Sequence, residues 1–218
     1  MTATEPTESR LGHDRANAVF FENIQQTFDK IGVSPDESII VGSQVLAAYG
    51  IRPAKDLDTL VGPQTFIEIH KGERTQPDIT VGSQAGEHRP GVISLSWDEN
   101  GLQRTADVIC RYDPSSGVSI EEAQQAFNDR ILTETISAGG LHFTTLDDTV
   151  QYMQEHPHYN YGQTRGKTAK DLQLIRELVT NGTTVDAPVQ LDSAAAENIS
   201  ALFKKSRLRK MASAIIKH

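Results

Sequence analysis

Cysteine is nearly absent from this 218-residue sequence. Cys110 stands alone, so no internal disulfide can form and the disulfide-stapled class of small secreted folds is excluded. A reducing, cytoplasmic setting suits such a chain. Aromatic residues are scarce, at 6 %, which leaves a mainly aliphatic core to be built from a 37 % apolar composition. No apolar run approaches the roughly 18 residues needed to cross a bilayer, so no membrane association is expected. The first ten residues are polar and lack the apolar stretch of a signal peptide. Basic residues are also in deficit, with a formal charge of −8. Six of the 21 (Lys204, Lys205, Arg207, Arg209, Lys210 and Lys217) follow Phe203 without an acid among them, so the other 15 face 29 acidic residues, a net −14. An acidic body repels polyanions broadly, and only that tail could hold one locally. The tail equally suits a helix C-terminus or a solvated face.

What is present reads as α+β. Residues 1–10 read as a disordered leader. Ala16, Val19, Phe20, Ile24, Phe28 and Ile31 recur at three- and four-residue spacing, which predicts a helix over 10–30 ended near Gly32. Residues 38–41 form a short β-branched run, a buried strand that leads through Gly42-Ser43 into a short helix ending at Gly50. A second strand is predicted over 57–61. Runs over 91–97 and 103–112 flank Asp98-Glu99-Asn100-Gly101, a hairpin signal. Residues 120–129 read as helix, and 131–136 with 141–145 as a second hairpin around Gly139-Gly140. Helices are expected over 147–155, 168–180 and 192–217. The organisation is therefore a leader, an α/β core over 11–146 holding a mixed sheet with flanking helices, and a helical region over 147–218 carrying the basic tail.

The stretch with chemistry in it is 41–61. Alternation on a strand would point Asp56 and Asp58 the same way while Leu57 enters the core. Two adjacent carboxylates repel unless a cation lies between them, and an all-oxygen ligand set suits Mg²⁺ or Mn²⁺. The third carboxylate is expected from Asp107, an acid inside the apolar run Ala106-Asp107-Val108-Ile109-Cys110, where an unpaired charge is costly. A structural salt bridge is the rival reading of Asp107, and Asp78, after Pro77, the competing acid. Gly42 and Ser43 close one strand and open a helix, where backbone can approach an anion. Together these describe a site for a nucleoside triphosphate and a divalent metal.

An apolar strand, Gly-Ser, and Asp-x-Asp 13 positions after the Ser resemble the nucleotidyltransferase superfamily that includes DNA polymerase beta. Gly50-Ile51-Arg52 ahead of Asp56-Leu57-Asp58 is similar to its bacterial abortive-infection and toxin-type branch, in which an Arg precedes the motif by four residues. A Ser or Thr commonly lies between, where this chain has Ala54. Arg165-Gly166-Lys167-Thr168-Ala169-Lys170-Asp171 resembles the late basic motif, although the acid that often follows it is replaced here by Gln173 and Leu174. The resemblance covers roughly 38–179. It implies a nucleotidyltransferase-like mixed sheet followed by a helical half, and transfer of a nucleoside monophosphate from an NTP such as ATP to a hydroxyl, with pyrophosphate released. It implies Asp56, Asp58 and Asp107 as metal ligands, with Asp107 also receiving the hydroxyl proton. Gly42, Ser43, Arg52, Lys55, Arg165, Lys167 and Lys170 would bind the nucleotide and its phosphates. The acceptor would be an RNA end, a protein side chain or a small molecule.

Two other readings share these residues. Asp-x-Asp also marks metal-dependent glycosyltransferases, and a nucleotidyltransferase-like fold can serve as a non-catalytic binding module. Gly162 to Lys167 imitates a P-loop, but its glycines are four apart and no strand precedes them. His156 and His158 lack further ligands for zinc and read as a loop, with Tyr159 or Tyr161 touching substrate. Cys110 reads as core.

Overall fold

The computed structural model describes residues 8–83, 91–155, 165–182 and 187–215. The leader expected over 1–10 lies outside them up to residue 7. The Gly162 to Lys167 run up to residue 164, and all of His156, His158, Tyr159 and Tyr161, lie outside as well. The chain forms two compact units, one of residues 1–44 and 54–144, the other of 45–53 and 145–218. It is α+β, and among the described residues no helix is long and apolar enough to cross a membrane.

The first unit is a seven-stranded mixed sheet with helices. Its elements are α1 (Glu8–Ile31), β1 (Ser38–Val41), β2 (Leu57–Val61), α3 (Pro63–His70), β3 (Thr80–Ser83), β4 (Val92–Glu99), β5 (Leu102–Ile109), α4 (Ile120–Thr133), β6 (Thr135–Ala138) and β7 (Leu141–Thr144). Between β1 and β2 the chain runs through α2 (Ser43–Ala48), which begins in this unit and continues into the second. The strand order is β3-β4-β5-β2-β1-β7-β6. β2 runs antiparallel to β1 but parallel to β5, and β1 runs parallel to β7.

Local chemistry explains most of these elements. Asn100 and Gly101 both take positive φ, 56° and 80°, and the Asp98 carboxylate accepts the Gly101 N–H at 2.9 Å. Two consecutive left-handed residues make the turn whose twist matches a two-residue hairpin, so β4 and β5 pair in register over their full eight residues. α4 starts on a capping box in which Ser119 and Glu122 each accept the other's backbone N–H. It also corrects the expected strand over 131–136. Ile131 to Thr133 complete the last turn of α4, with Ile131 buried, and β6 begins only at Thr135. Burial of Ile131 in a helical register outweighs its β-branched preference.

The sheet's two faces differ. Ile40, Leu57, Thr59, Ile93, Leu95, Ala106 and Val108 are all buried and share one face by alternation. On β7, where Phe143 pairs with Ile40, the rings of Phe20 and Phe21 from α1 contact Phe143 at about 6.5 Å. On the other face Ile39, Val41, Leu60 and Ile109 pack against Phe127 and Ile131 of α4. Alternation from Leu60 and Ile109 puts Asp58 and Asp107 on this same face, beyond the apolar cluster.

The second unit is helical. Beyond the 45–53 segment it contains α5 (Leu146–Glu155), α6 (Arg165–Asn181) and α7 (Ser193–Ile215). Tyr49 and Ile199 are buried, and the Val189 N–H donates to the Ala48 carbonyl at 2.9 Å. Burial, with Asp147 and Asp192 nearby, pushes the Tyr49 hydroxyl well above its usual range, so it stays protonated at any physiological pH.

Candidate functional site

Strand register assembles the site. Val41 pairs with Asp58 across the antiparallel β1–β2 ladder, and Asp58 pairs with Asp107 across the parallel β2–β5 ladder. The two carboxylates are therefore direct neighbours on adjacent strands, each half-buried. Asp56 lies outside the regular strand, in the bend before Leu57, and is exposed.

Each of the outer two carboxylates is held by a serine. Ser43, buried at the start of α2, donates its hydroxyl to Asp56 Oδ1 at 3.1 Å and lies 3.4 Å from the Asp56 carbonyl. The Gln44 amide donates to the same carbonyl at 3.2 Å. The Ser43 hydroxyl thus faces a carboxylate. Ser94, on β4, donates to Asp107 Oδ1 at 2.6 Å, and the two residues pair directly in the β4–β5 ladder. Ser94 escaped the sequence reading, yet a signal for it exists. Once Asn100-Gly101 is taken as a two-residue turn, pairing outward from the turn brings Ser94 opposite Asp107.

Gly42 fills the strand-to-helix corner with φ +67°, and a Cβ there would overlap the Asp58 carboxylate. Both facts require glycine. Gly42→Ala is expected to cost about 1–3 kcal/mol from left-handed strain alone, and to displace Asp58. Denaturant melts combined with metal titration will show whether stability and metal affinity fall together.

The other expected residues are distributed over both units. Arg52, in the second unit, gives Nε and Nη2 to the two oxygens of Asp171 at 2.7 and 3.0 Å, and Nη1 to the Pro53 carbonyl at 3.1 Å. Asp171 is 4 % exposed, so this is a bidentate pair with a buried carboxylate and a half-buried guanidinium. Lys55 is exposed beside Asp56, and Lys170 is exposed on α6. Arg165 and Lys167 lie in the first turn of α6, and their side chains fall outside the description. Asp78, the competing acid, is exposed and pairs with Lys30 at 2.5 Å, which holds its carboxyl below the usual range. Cys110 is buried and its thiol is pushed up by burial, as a core residue's should be.

The donors fit a hard divalent cation in kind: carboxylate oxygens, with hydroxyls behind them and two acids paired in register on adjacent strands. The set is not closed as it stands. Among the described residues no three His, Cys, Asp or Glu side chains are gathered to hold a metal ion. Asp58 and Asp107 supply a two-carboxylate pair, and Asp56 is engaged by Ser43 at its edge. Among the same residues no buried side-chain polar atom is left without a partner.

No family model and no curated protein matches the sequence. Among solved structures, JHP933 from Helicobacter pylori overlays 92 % of this chain and 98 % of its own at 11 % identity, with a TM-score of 0.39. A second structure, of an H. pylori protein provisionally described as a nucleotidyltransferase, covers the same shares at 12 % identity and a TM-score of 0.35. Overlap at that level assigns neither a family nor an activity.

Proposed function

We propose that this protein is a nucleotidyltransferase, which moves a nucleoside monophosphate from an NTP to a hydroxyl acceptor. The observation that supports it most is the register that sets Asp58 opposite Asp107 on parallel neighbours, with Asp56 two residues ahead and Gly42 against Asp58. A folded protein keeps two like charges in register on adjacent strands at a cost, and a divalent cation removes it.

Mg²⁺ or Mn²⁺ is the ion this donor set suits; Asp58 and Asp107 would hold it, with Asp56 joining from the strand entry, and it would offset charge on the attacking and leaving oxygens. The chain's own residues do the rest. Gly42, having no side chain, lets backbone and phosphate approach closely. Ser43 orients Asp56, and Lys55 lies exposed next to it, free to meet anionic oxygens. Asp107 receives the acceptor's proton. The acceptor oxygen then forms a bond to the α-phosphorus, the bond from that phosphorus to the bridging oxygen breaks, and pyrophosphate leaves with the electron pair.

Incubation of the purified chain with each α-³²P-labelled NTP, Mg²⁺ and a cell extract tests the reading and identifies the acceptor. Label appearing in RNA, protein or a small molecule, and absent without Mg²⁺, is the expected result. No transfer from any NTP, with a melting-temperature rise caused only by a sugar nucleotide, would move the protein to glycosyl transfer.

A further inference from the structure

Asp107 is the carboxylate of the site furthest from the Asp-x-Asp segment in sequence, and nothing in its own strand fixes its side chain. Its neighbours in β5 are Ala106 and Val108, both fully buried on the opposite face. What holds it comes from the adjoining strand. The Ser94 hydroxyl lies 2.6 Å from Asp107 Oδ1, a short O–H···O⁻ contact between directly paired residues. The pairing is itself rigid. β4 and β5 match residue for residue from Val92↔Ile109 to Glu99↔Leu102, closed by a two-residue turn.

We propose that Ser94 is a positioning residue of the metal site. By committing one oxygen of Asp107, its hydroxyl restricts rotation about the carboxyl torsion and presents the other oxygen for metal binding. This inference rests on the nucleotidyltransferase reading above. It goes beyond that reading in giving the site a fourth strand, β4, whose residue never touches the ion. Groups that orient metal ligands from behind commonly change metal affinity ten- to a hundredfold when removed. Ser94 is half-buried and water can partly replace it, so the lower end is expected.

The experiment is a titration of the full-length chain with Mn²⁺ alone, followed by the electron paramagnetic resonance signal of the free ion. Ser94→Ala should weaken Mn²⁺ binding about tenfold. Its melting temperature in chelator should stay within about 2 °C of the parent, because a half-buried hydroxyl adds little stability. Ser94→Thr keeps the hydroxyl on a residue well suited to a strand and should restore affinity to within about twofold of the parent, an effect a merely structural role would not produce. Asp58→Asn is the control for the site itself. If Asp58→Asn weakens Mn²⁺ binding while Ser94→Ala leaves it unchanged, or if Thr fails to rescue it, the positioning role is wrong and the metal reading survives. If Asp58→Asn leaves Mn²⁺ binding as it was, the metal reading is wrong and the role of Ser94 falls with it.

Discussion

Asp58→Asn is expected to reduce nucleotide transfer by about a thousandfold or more while the sheet stays folded. Metal-assisted charge stabilisation supplies several kcal/mol to such reactions, and each 1.36 kcal/mol is a factor of ten. Asn is nearly isosteric with Asp, so the β1–β2–β5 register around position 58 can persist. The companion change Asp107→Asn separates charge from shape. Its amide oxygen can still accept from Ser94, but the like charge opposite Asp58 disappears. Directly opposed like charges cost about 0.2–1 kcal/mol, so melting in chelator should rise by roughly 1–3 °C for a chain of this size. The same variant should gain less than the parent from added Mg²⁺. Transfer by Asp58→Asn at the parent's rate would remove this aspartate from the reaction.

Arg52→Ala should destabilise the helical unit by about 3–5 kcal/mol, the usual result of leaving one member of a buried ion pair without the other. Asp171 would remain as a carboxylate inside the protein with both of its guanidinium bonds gone. At roughly 2–4 °C per kcal/mol the melting temperature should drop by at least about 6 °C. Replacing both residues, Arg52→Met with Asp171→Leu, should recover most of the loss, because apolar side chains of similar volume avoid the desolvation cost. A drop of 1 °C or less in Arg52→Ala would mean that the pair is solvated in solution.

How well the sequence disclosed these features depended on how local their causes are. β1 and β2 were legible to the residue, since a short, largely buried run bounded by turn residues has few alternatives. The β4–β5 hairpin was legible from Asn100-Gly101. The strand expected over 131–136 failed where two local signals competed, and tertiary burial of Ile131 favoured the helix. Arg52 is a different case. Its spacing from Asp-x-Asp suggests an anion ligand, and its carboxylate partner, 119 residues away, is connected to it by no periodicity. Ser94 lies between these cases. Its place opposite Asp107 follows from the turn, but its role becomes visible only when the hydroxyl-to-carboxylate distance is known.

The excursion of residues 45–53 into the helical unit has a consequence for biosynthesis. A ribosome delivers this segment about a hundred residues before α5, α6 and α7, the elements it joins. Until Leu146, Asp171 and Val189 emerge, Tyr49, Arg52 and Ala48 lack the partners they have in the finished protein. Vectorial folding can complete much of the sheet early, but the link between β1 and β2 must wait. That link joins Ser43 to Asp56, so it includes one edge of the candidate site. A nascent chain halted at Thr144 would present apolar Val45, Leu46 and Tyr49 to solvent and to chaperones. The strands would be in place before the loop joining two of them had found its fold.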